Sequence, residues 1–271
     1  MVASLWGMKG HPIPPIQPNS VAAAKARLAE GRISWTGPLL LLLARSILWM
    51  TAQSLVALLF LAQHRPDPWH QACHWWSVCF TLADIGCILL MRFFLKKEGL
   101  RLRDLIGPVR LRWGHDVFLG LGYFLLFAPG FVFGGWLSQR LFYGTTGVNP
   151  SAFILHAHAM PLWATLYSLT FFWIINSVVE ELTYQGYVLP RLEALTGHFW
   201  IAFAAVTFWW TVQHCVIGFV PDFRSNAARF VAFFPGVVII VLIYARTRRL
   251  SALIVGHWII DLSGVLMMSV F

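Results

Sequence analysis

Residues 161–183 read PLWATLYSLTFFWIINSVVEELT. It carries no charged residue from Pro161 to Val179 and then places two glutamates side by side, Glu180 and Glu181. A run of about 20 apolar residues is long enough to cross the hydrocarbon core of a bilayer as a helix. This stretch therefore predicts a membrane-spanning helix with two carboxylates near one end.

The composition of the whole chain agrees with a membrane protein. Of its 271 residues 58% are hydrophobic and only 11% are charged, against roughly a quarter charged in soluble domains. The formal net charge is +9, but the positive residues lie mostly between apolar runs. That distribution predicts contact with membrane lipids, through their anionic headgroups, and no nucleic-acid partner.

Apolar stretches recur along the chain and predict an all-α, polytopic transmembrane helix bundle. The seven candidate spans are residues 37–62, 73–95, 115–138, 161–183, 199–220, 230–245 and 250–270. Before them, residues 20–32 have the pattern of a short amphipathic surface helix. We therefore expect about seven spans plus an N-terminal amphipathic helix, with residues 1–35 as a cytoplasmic lead and residues 36–271 as the bundle.

The basic residues predict the orientation. The stretch 92–112 holds seven of them: Arg92, Lys96, Lys97, Arg101, Arg103, Arg110 and Arg112. Lys and Arg are enriched in cytoplasmic loops, so this stretch and the link 246–249 should face the cytoplasm. Counting spans outward places the N-terminus in the cytoplasm too, and predicts a multi-pass protein of the cell (inner) membrane.

Ionisable side chains inside spans are costly and therefore mark candidate functional sites. Glu180 is either part of a solvated helix end or a general base. His214 is either a hydrogen-bonded core residue or a catalytic group. His257 and Asp261 share one helix face, where the carboxylate can orient the imidazole. Together these groups suit either a water-activating acid–base set or a metal site.

The order and spacing of these residues resemble a known family. Glu180-Glu181, the aromatic Trp210 four residues before His214, and His257 four residues before Asp261 are similar to the motifs EExxxR, FxxxH and Hxxx(N/D). These belong to the CAAX-protease and bacteriocin-processing (CPBP) intramembrane proteases, which include the CAAX prenyl endopeptidases. The resemblance covers about residues 96–265, the expected protease core.

Two positions depart from the family pattern. The arginine of the first motif is Gln185 here, and the phenylalanine of the second is Trp210. The aromatic exchange is mild. The loss of arginine replaces a cation by a neutral amide, which can only hydrogen-bond. We expect Gln185 to bond Glu181 one helical turn away.

The resemblance implies a reaction and a role for each residue. It implies hydrolysis of a peptide bond in a membrane-associated, prenylated or leader-bearing protein. Glu180 would be the general base on the attacking water, assisted by His214. His257 and Asp261 would stabilise the oxyanion or orient the substrate, and Glu181 would be structural. No cofactor is favoured, although the residue types also allow Zn²⁺ held by Glu180, His214 and His257.

Two other functions compete with the protease. One is a non-catalytic scaffold or immunity protein of the same fold, which the loss of arginine at Gln185 favours. The other is a proton-coupled transporter that uses the buried Glu and His residues as a relay. Such transporters contain internal repeats, and none is visible in the sequence.

Two further expectations concern geometry. Arg45 and Asp84 lie inside the first two predicted spans and are expected to pair. Measured from the turn near residues 190–197, Glu180 and His214 lie at unequal depths if both helices are straight. A break at Gly186 or Pro190 would remove that mismatch.

Overall fold

The structure, a computed structural model, describes residues 17–106, 113–145 and 160–270, and every regular element within those ranges is helical. The helices are α1 (Val21–Ala29), α2 (Thr36–Ala62), α3 (Pro68–Cys73), α4 (Trp76–Glu98), α5 (Arg103–Ile106), α6 (Trp113–Tyr143), α7 (Leu162–Tyr167), α8 (Trp173–Glu181), α9 (Leu189–Thr196), α10 (Phe199–Val216), α11 (Phe223–Thr247) and α12 (Leu250–Val270). Residues 1–16 of the predicted lead, and Arg110 and Arg112, lie outside the described residues.

The predicted membrane bundle is confirmed. In the described residues, six helical stretches are long and apolar enough to cross a membrane: α2, α4, most of α6, the run Leu162–Thr196, α10 and α11. The seventh predicted span is α12, a shorter apolar helix over Leu250–Leu266 in the part searched. Large apolar side chains such as Leu58, Phe118 and Leu125 point outward and are more than half exposed, as lipid-facing residues are.

Local sequence explains where several helices begin and end. The Ser20 hydroxyl caps α1 by accepting a hydrogen bond from the Ala23 amide at 3.2 Å. The Asp222 carboxylate caps α11 in the same way, at 2.7 Å from the Ser225 amide. α4 ends at Gly99, which adopts the left-handed conformation with φ of 73°. A residue without a β-carbon terminates a helix there at little steric cost.

Glycines bring α6 close to its neighbours. A β-carbon built on Gly130 would lie 3.1 Å from the Gly236 α-carbon of α11, and at Gly134 it would collide with the Ala232 carbonyl. Small residues at this spacing allow helix backbones to approach closely inside a membrane. Gly130 and Gly134 therefore allow the close packing of α6 on α11.

The fourth span is a single helical run that is longer than its apolar stretch predicts. α7, α8 and α9 are continuous through two π-helical segments, π1 (Ser168–Phe172) and π2 (Leu182–Val188). The helix does not break at Pro190, which occupies the first turn of α9, where proline is tolerated. The expected break is replaced by π2, which contains Gly186 and widens the turns directly after the two glutamates.

The predicted amphipathic helix is also present, as α1. One face of it packs on α9, where Ala24 lies in a small apolar cluster with Ile33 and Ala194. Its Arg27 is almost fully buried, so α1 is attached to the bundle by more than surface adsorption.

Candidate active site

The predicted site residues come together from three parts of the bundle. Glu180 and Glu181 end α8, His214 lies in the last turn of α10, and His257 and Asp261 lie on α12. Adjacent α8 and α12 are joined by the Trp258 indole, which donates to the Ile174 carbonyl at 3.1 Å.

Glu180 is an acceptor on both carboxylate oxygens. Its Oε1 accepts hydrogen bonds from the Trp210 indole and the Gln213 amide. Its Oε2 accepts from Asn176 Nδ2 at 3.2 Å and from Arg45 Nη2 at 3.4 Å. Only 2% of the residue is exposed. A buried carboxylate requires such donors, because unpaired burial of a charge is very costly.

His214 lies beside this carboxylate without bonding it. Its Nε2 is 3.8 Å from Glu180 Oε1, and 16% of its side chain is exposed. The imidazole stacks on the Phe233 ring, with centroids 4.0 Å apart and planes 4° from parallel. The stacking fixes the ring plane, and the 3.8 Å gap leaves the two groups in a position to share one water molecule.

His257 lies between two carboxylates. Its Nδ1 is 2.9 Å from Glu181 Oε1, and its Nε2 is 3.4 Å from Asp261 Oδ1. An imidazole that carries a proton on both nitrogens donates to both partners. Glu181, assigned only a structural role by the resemblance, thus contacts a predicted catalytic residue directly.

Asn176 links the two halves of the site. Its Nδ2 donates to Glu180 Oε2 at 3.2 Å and to Asp261 Oδ2 at 2.9 Å. The same Asp261 oxygen accepts from the Ser177 hydroxyl at 2.7 Å. Asn176 and Ser177 were not predicted as site residues, although polar residues one helical turn before Glu180 and Glu181, inside an apolar span, were a usable signal.

Arg45 of the first span reaches the same cluster. The expected ion pair between Arg45 and Asp84 is present, and both side chains are fully buried. The guanidinium also donates to Gln213 Oε1 at 2.9 Å and to Asn176 Oδ1 at 2.7 Å. The prediction of a structural pair was therefore incomplete, because Arg45 bonds the residues that hold Glu180.

The aromatic position of the second motif has a specific consequence. Trp210 donates its indole N–H to Glu180, a hydrogen bond that phenylalanine cannot make. Its ring stacks on Tyr184, with centroids 5.2 Å apart, and the Tyr184 hydroxyl donates to Gln213 Oε1 at 3.0 Å. The exchange to tryptophan thus adds a donor to the site.

The prediction of a hydrogen bond between Gln185 and Glu181 is wrong. Both amide atoms of Gln185 and the Oε2 of Glu181 are buried and lack a hydrogen-bond partner among the described residues. Gln185 lies within π2, the π-helical segment that begins at the residue after Glu181. In an α-helix, Gln185 would share a face with Glu181, four residues earlier. The wider π-helical turn rotates Gln185 away from that face.

The zinc ligand set does not fit this arrangement. No group of three His, Cys, Asp or Glu side chains is placed to hold a metal ion in the three described ranges. Both nitrogens of His257 already face carboxylates, and both oxygens of Glu180 accept hydrogen bonds. Zinc would require these contacts to be exchanged.

Comparison with known proteins gives one family. Residues 161–263 match the family model described as type II CAAX prenyl endopeptidase Rce1-like. The matched segment runs from the start of the fourth span to α12 and contains Glu180, His214, His257 and Asp261, whereas residues 96–160 lie outside it. No curated protein and no solved structure matches the chain. Over residues 161–263 this multi-pass membrane protein is similar to the CAAX protease family, which confirms the resemblance predicted from the sequence motifs.

Proposed function

We propose that this protein is an intramembrane endopeptidase in which Glu180 activates a water molecule with the assistance of His214. The match of residues 161–263 to a CAAX endopeptidase family model supports hydrolysis of a membrane-associated substrate. The observation that carries the proposal is the placement of His214 Nε2 at 3.8 Å from Glu180 Oε1, with His257 and Asp261 joined to the same cluster through Asn176.

The proposed reaction starts with a water molecule between Glu180 and His214. The oxygen of this water attacks the carbonyl carbon of the substrate, and Glu180 takes one proton from the water as the new C–O bond forms. The carbonyl oxygen becomes an oxyanion, which a protonated His257 stabilises by reorienting one N–H from its carboxylate partner. The C–N bond then breaks, and the proton held by Glu180 passes to the leaving amine.

Access of substrate requires the site to open. Glu180 and Glu181 are buried, whereas His214 and Asp261 keep 16% and 19% of their side chains exposed. The exposed edge of the cluster is therefore formed by α10 and α12. We propose that the scissile peptide approaches between these helices.

The substrate class follows from the family and the environment. We propose a protein held at the membrane by a prenyl group, a leader peptide or a transmembrane segment. Lipid anchoring concentrates such a substrate at the bilayer, where the site lies.

A non-catalytic scaffold of the same fold is the second candidate. It is favoured by the dense pairing of the cluster, in which Glu180 accepts four hydrogen bonds, and by the absence of the family arginine at Gln185. In that case the polar cluster would serve only to hold the helices together.

Quantitative proteomics of peptide termini distinguishes the two candidates. Cells that express the wild-type protein, Glu180→Ala or the control Glu193→Ala are compared at equal membrane abundance. A protease gives a new terminus in a membrane-associated protein with wild type and control only. Identical termini in all three strains, at normal abundance, would contradict the enzyme and support the scaffold.

A further inference from the structure

A second polar region lies at the membrane boundary, away from the catalytic candidates. A cavity of about 260 Å³ opens between the linker that joins α1 to α2, the first turn of α2 and the last turn of α4. Its polar lining includes Arg32, Ser34, Thr36 and Lys97, and its apolar lining includes Leu40 and Phe93 among others.

The cavity has a basic side and an apolar side. The Lys97 ammonium lies 4.3 Å from the centre of the Phe93 ring, over its face, and makes no ion pair among the described residues. Arg32 donates to the Glu98 carbonyl at 2.9 Å through Nη1, and its Nη2 forms an exposed ion pair with the Glu30 carboxylate at the outer rim. Leu40 and Phe93 are 48% and 56% exposed, on spans whose outer surfaces meet lipid. An occupant therefore meets cations at one end and hydrocarbon at the other.

Glu98, the one acid in the lining, does not make the cavity acidic. Its carboxylate accepts two hydrogen bonds from Arg191, at 2.7 and 2.8 Å, and one from Arg27 at 3.1 Å. Two guanidinium groups thus neutralise one buried carboxylate and leave an excess of positive charge. Arg27 Nη2 remains without a partner, and burial with the neighbouring Arg191 lowers the pKa of Arg27.

We infer that this cavity binds the phosphate headgroup of an anionic phospholipid, with Arg32 and Lys97 as the charged contacts. Ser34 and Thr36 supply hydroxyl donors, and the acyl chains continue along Leu40 and Phe93. Basic groups at the bilayer surface attract anionic lipids, and an amphiphile satisfies both ends of the cavity, which a free phosphate ion does not.

The position of the cavity gives the lipid a structural effect. The floor includes Tyr187 of π2, whose ring lies under the Arg191 guanidinium at 4.0 Å. Glu98 and Arg191 join α4 to α9, directly after π2. A bound phosphate therefore stabilises the contact between the first two spans and the helical run that carries Glu180.

The test is native mass spectrometry of the full, delipidated chain with added phosphatidylglycerol or phosphatidylcholine. Wild type is compared with Arg32→Gln/Lys97→Gln and with the matched control Lys96→Gln/Arg101→Gln, which removes two neighbouring charges outside the cavity. We expect one phosphatidylglycerol bound to wild type and control, and binding about tenfold weaker or more in the cavity variant. Equal weakening in both variants, or equal binding of phosphatidylcholine by wild type, would overturn the proposal.

Two further experiments distinguish a bound lipid from a free phosphate, and a loss of lipid binding from a loss of folding. Ser34 is exposed, so Ser34→Asp introduces a negative charge at the rim of the cavity without burying it. The variant should abolish selective lipid binding while the melting temperature without lipid stays unchanged. Glycerol 3-phosphate carries the same phosphate chemistry without chains, and it should not displace the lipid at millimolar concentration. Displacement by it, or retained lipid selectivity in Ser34→Asp, would contradict the assignment.

Discussion

Arg45 Nη2 lies 3.4 Å from Glu180 Oε2, so a cation from the first span touches the proposed general base in the fourth. The arginine position of the first family motif is the neutral Gln185. Arg45 has no exposed surface and also pairs with Asp84. A guanidinium from outside the matched segment 161–263 thus supplies positive charge at the carboxylate cluster.

The first prediction follows from that contact. Arg45→Met leaves the Asp84 and Glu180 carboxylates buried without their cation, and breaking a buried pair costs about 3–5 kcal/mol. We expect the melting temperature in detergent to fall by on the order of 10 °C. The control Arg140→Met, at an exposed site on α6, should change it little. The double variant Arg45→Met/Asp84→Asn should recover part of the loss, and a single variant as stable as wild type would contradict the network.

The second prediction concerns Trp210. Trp210→Phe keeps an aromatic ring against Tyr184 but removes the indole donor to Glu180. A hydrogen bond to a charged group contributes about 1.5–3 kcal/mol, so processing of the cellular substrate should slow by about tenfold or more. The control is Trp209→Phe, since no described hydrogen bond joins Trp209 to Glu180. Equal rates in Trp210→Phe and wild type would show that the indole donor is dispensable.

The third prediction concerns Gln185. Its amide is buried without a hydrogen-bond partner, and an unsatisfied buried polar group costs about 1–3 kcal/mol. Gln185→Leu should therefore raise the melting temperature. Gln185→Arg should remain folded, because the longer side chain can reach the unpaired Glu181 Oε2. A lower melting temperature for Gln185→Leu would indicate that water satisfies the amide in the native protein.

The fourth prediction concerns orientation. Single cysteines at Lys97 and Arg248 should be protected from an impermeant thiol reagent in intact cells, because Lys and Arg favour the cytoplasmic side. Replacement of the four native cysteines gives the background; Cys73, Cys79 and Cys87 are buried and Cys215 is partly exposed. A cysteine at Arg65, on the opposite side, is the positive control. Labelling at Lys97 or Arg248 from outside would reverse or refute the topology.

The fifth prediction concerns metal. The proposed mechanism uses Glu180 and His214 without a metal ion, so chelator treatment of purified active protein should leave processing unchanged. Metal analysis of the same sample provides the stoichiometry. Stoichiometric zinc whose removal stops processing, and whose return restores it, would assign Glu180, His214 and His257 to the alternative ligand set.

Much of the fold could be predicted from the chain because hydropathy and charge are properties of single segments. A helix must satisfy its own backbone inside lipid, so each apolar run of sufficient length becomes a span whatever its neighbours are. The same reasoning marked Glu180, His214 and His257, since an ionisable group at membrane depth needs a partner. The same cost predicts that they converge inside the bundle, because none has a lipid-compatible position without a partner, and the structure brings them into one polar cluster.

Apart from the contact between His257 and Asp261, which their i, i+4 spacing predicts, the partners of these groups were decided by tertiary structure. Which atoms meet depends on the rotation and depth of each helix, and packing against neighbouring helices sets both. Arg45 reaches Glu180 because the rotation of α2 buries the arginine inside the bundle, and Gln185 misses Glu181 because π2 changes the number of residues in a turn. Neither rotation leaves a trace in local composition, so the chain by itself determined the spans and the candidate residues, and the packed bundle determined which of those residues touch.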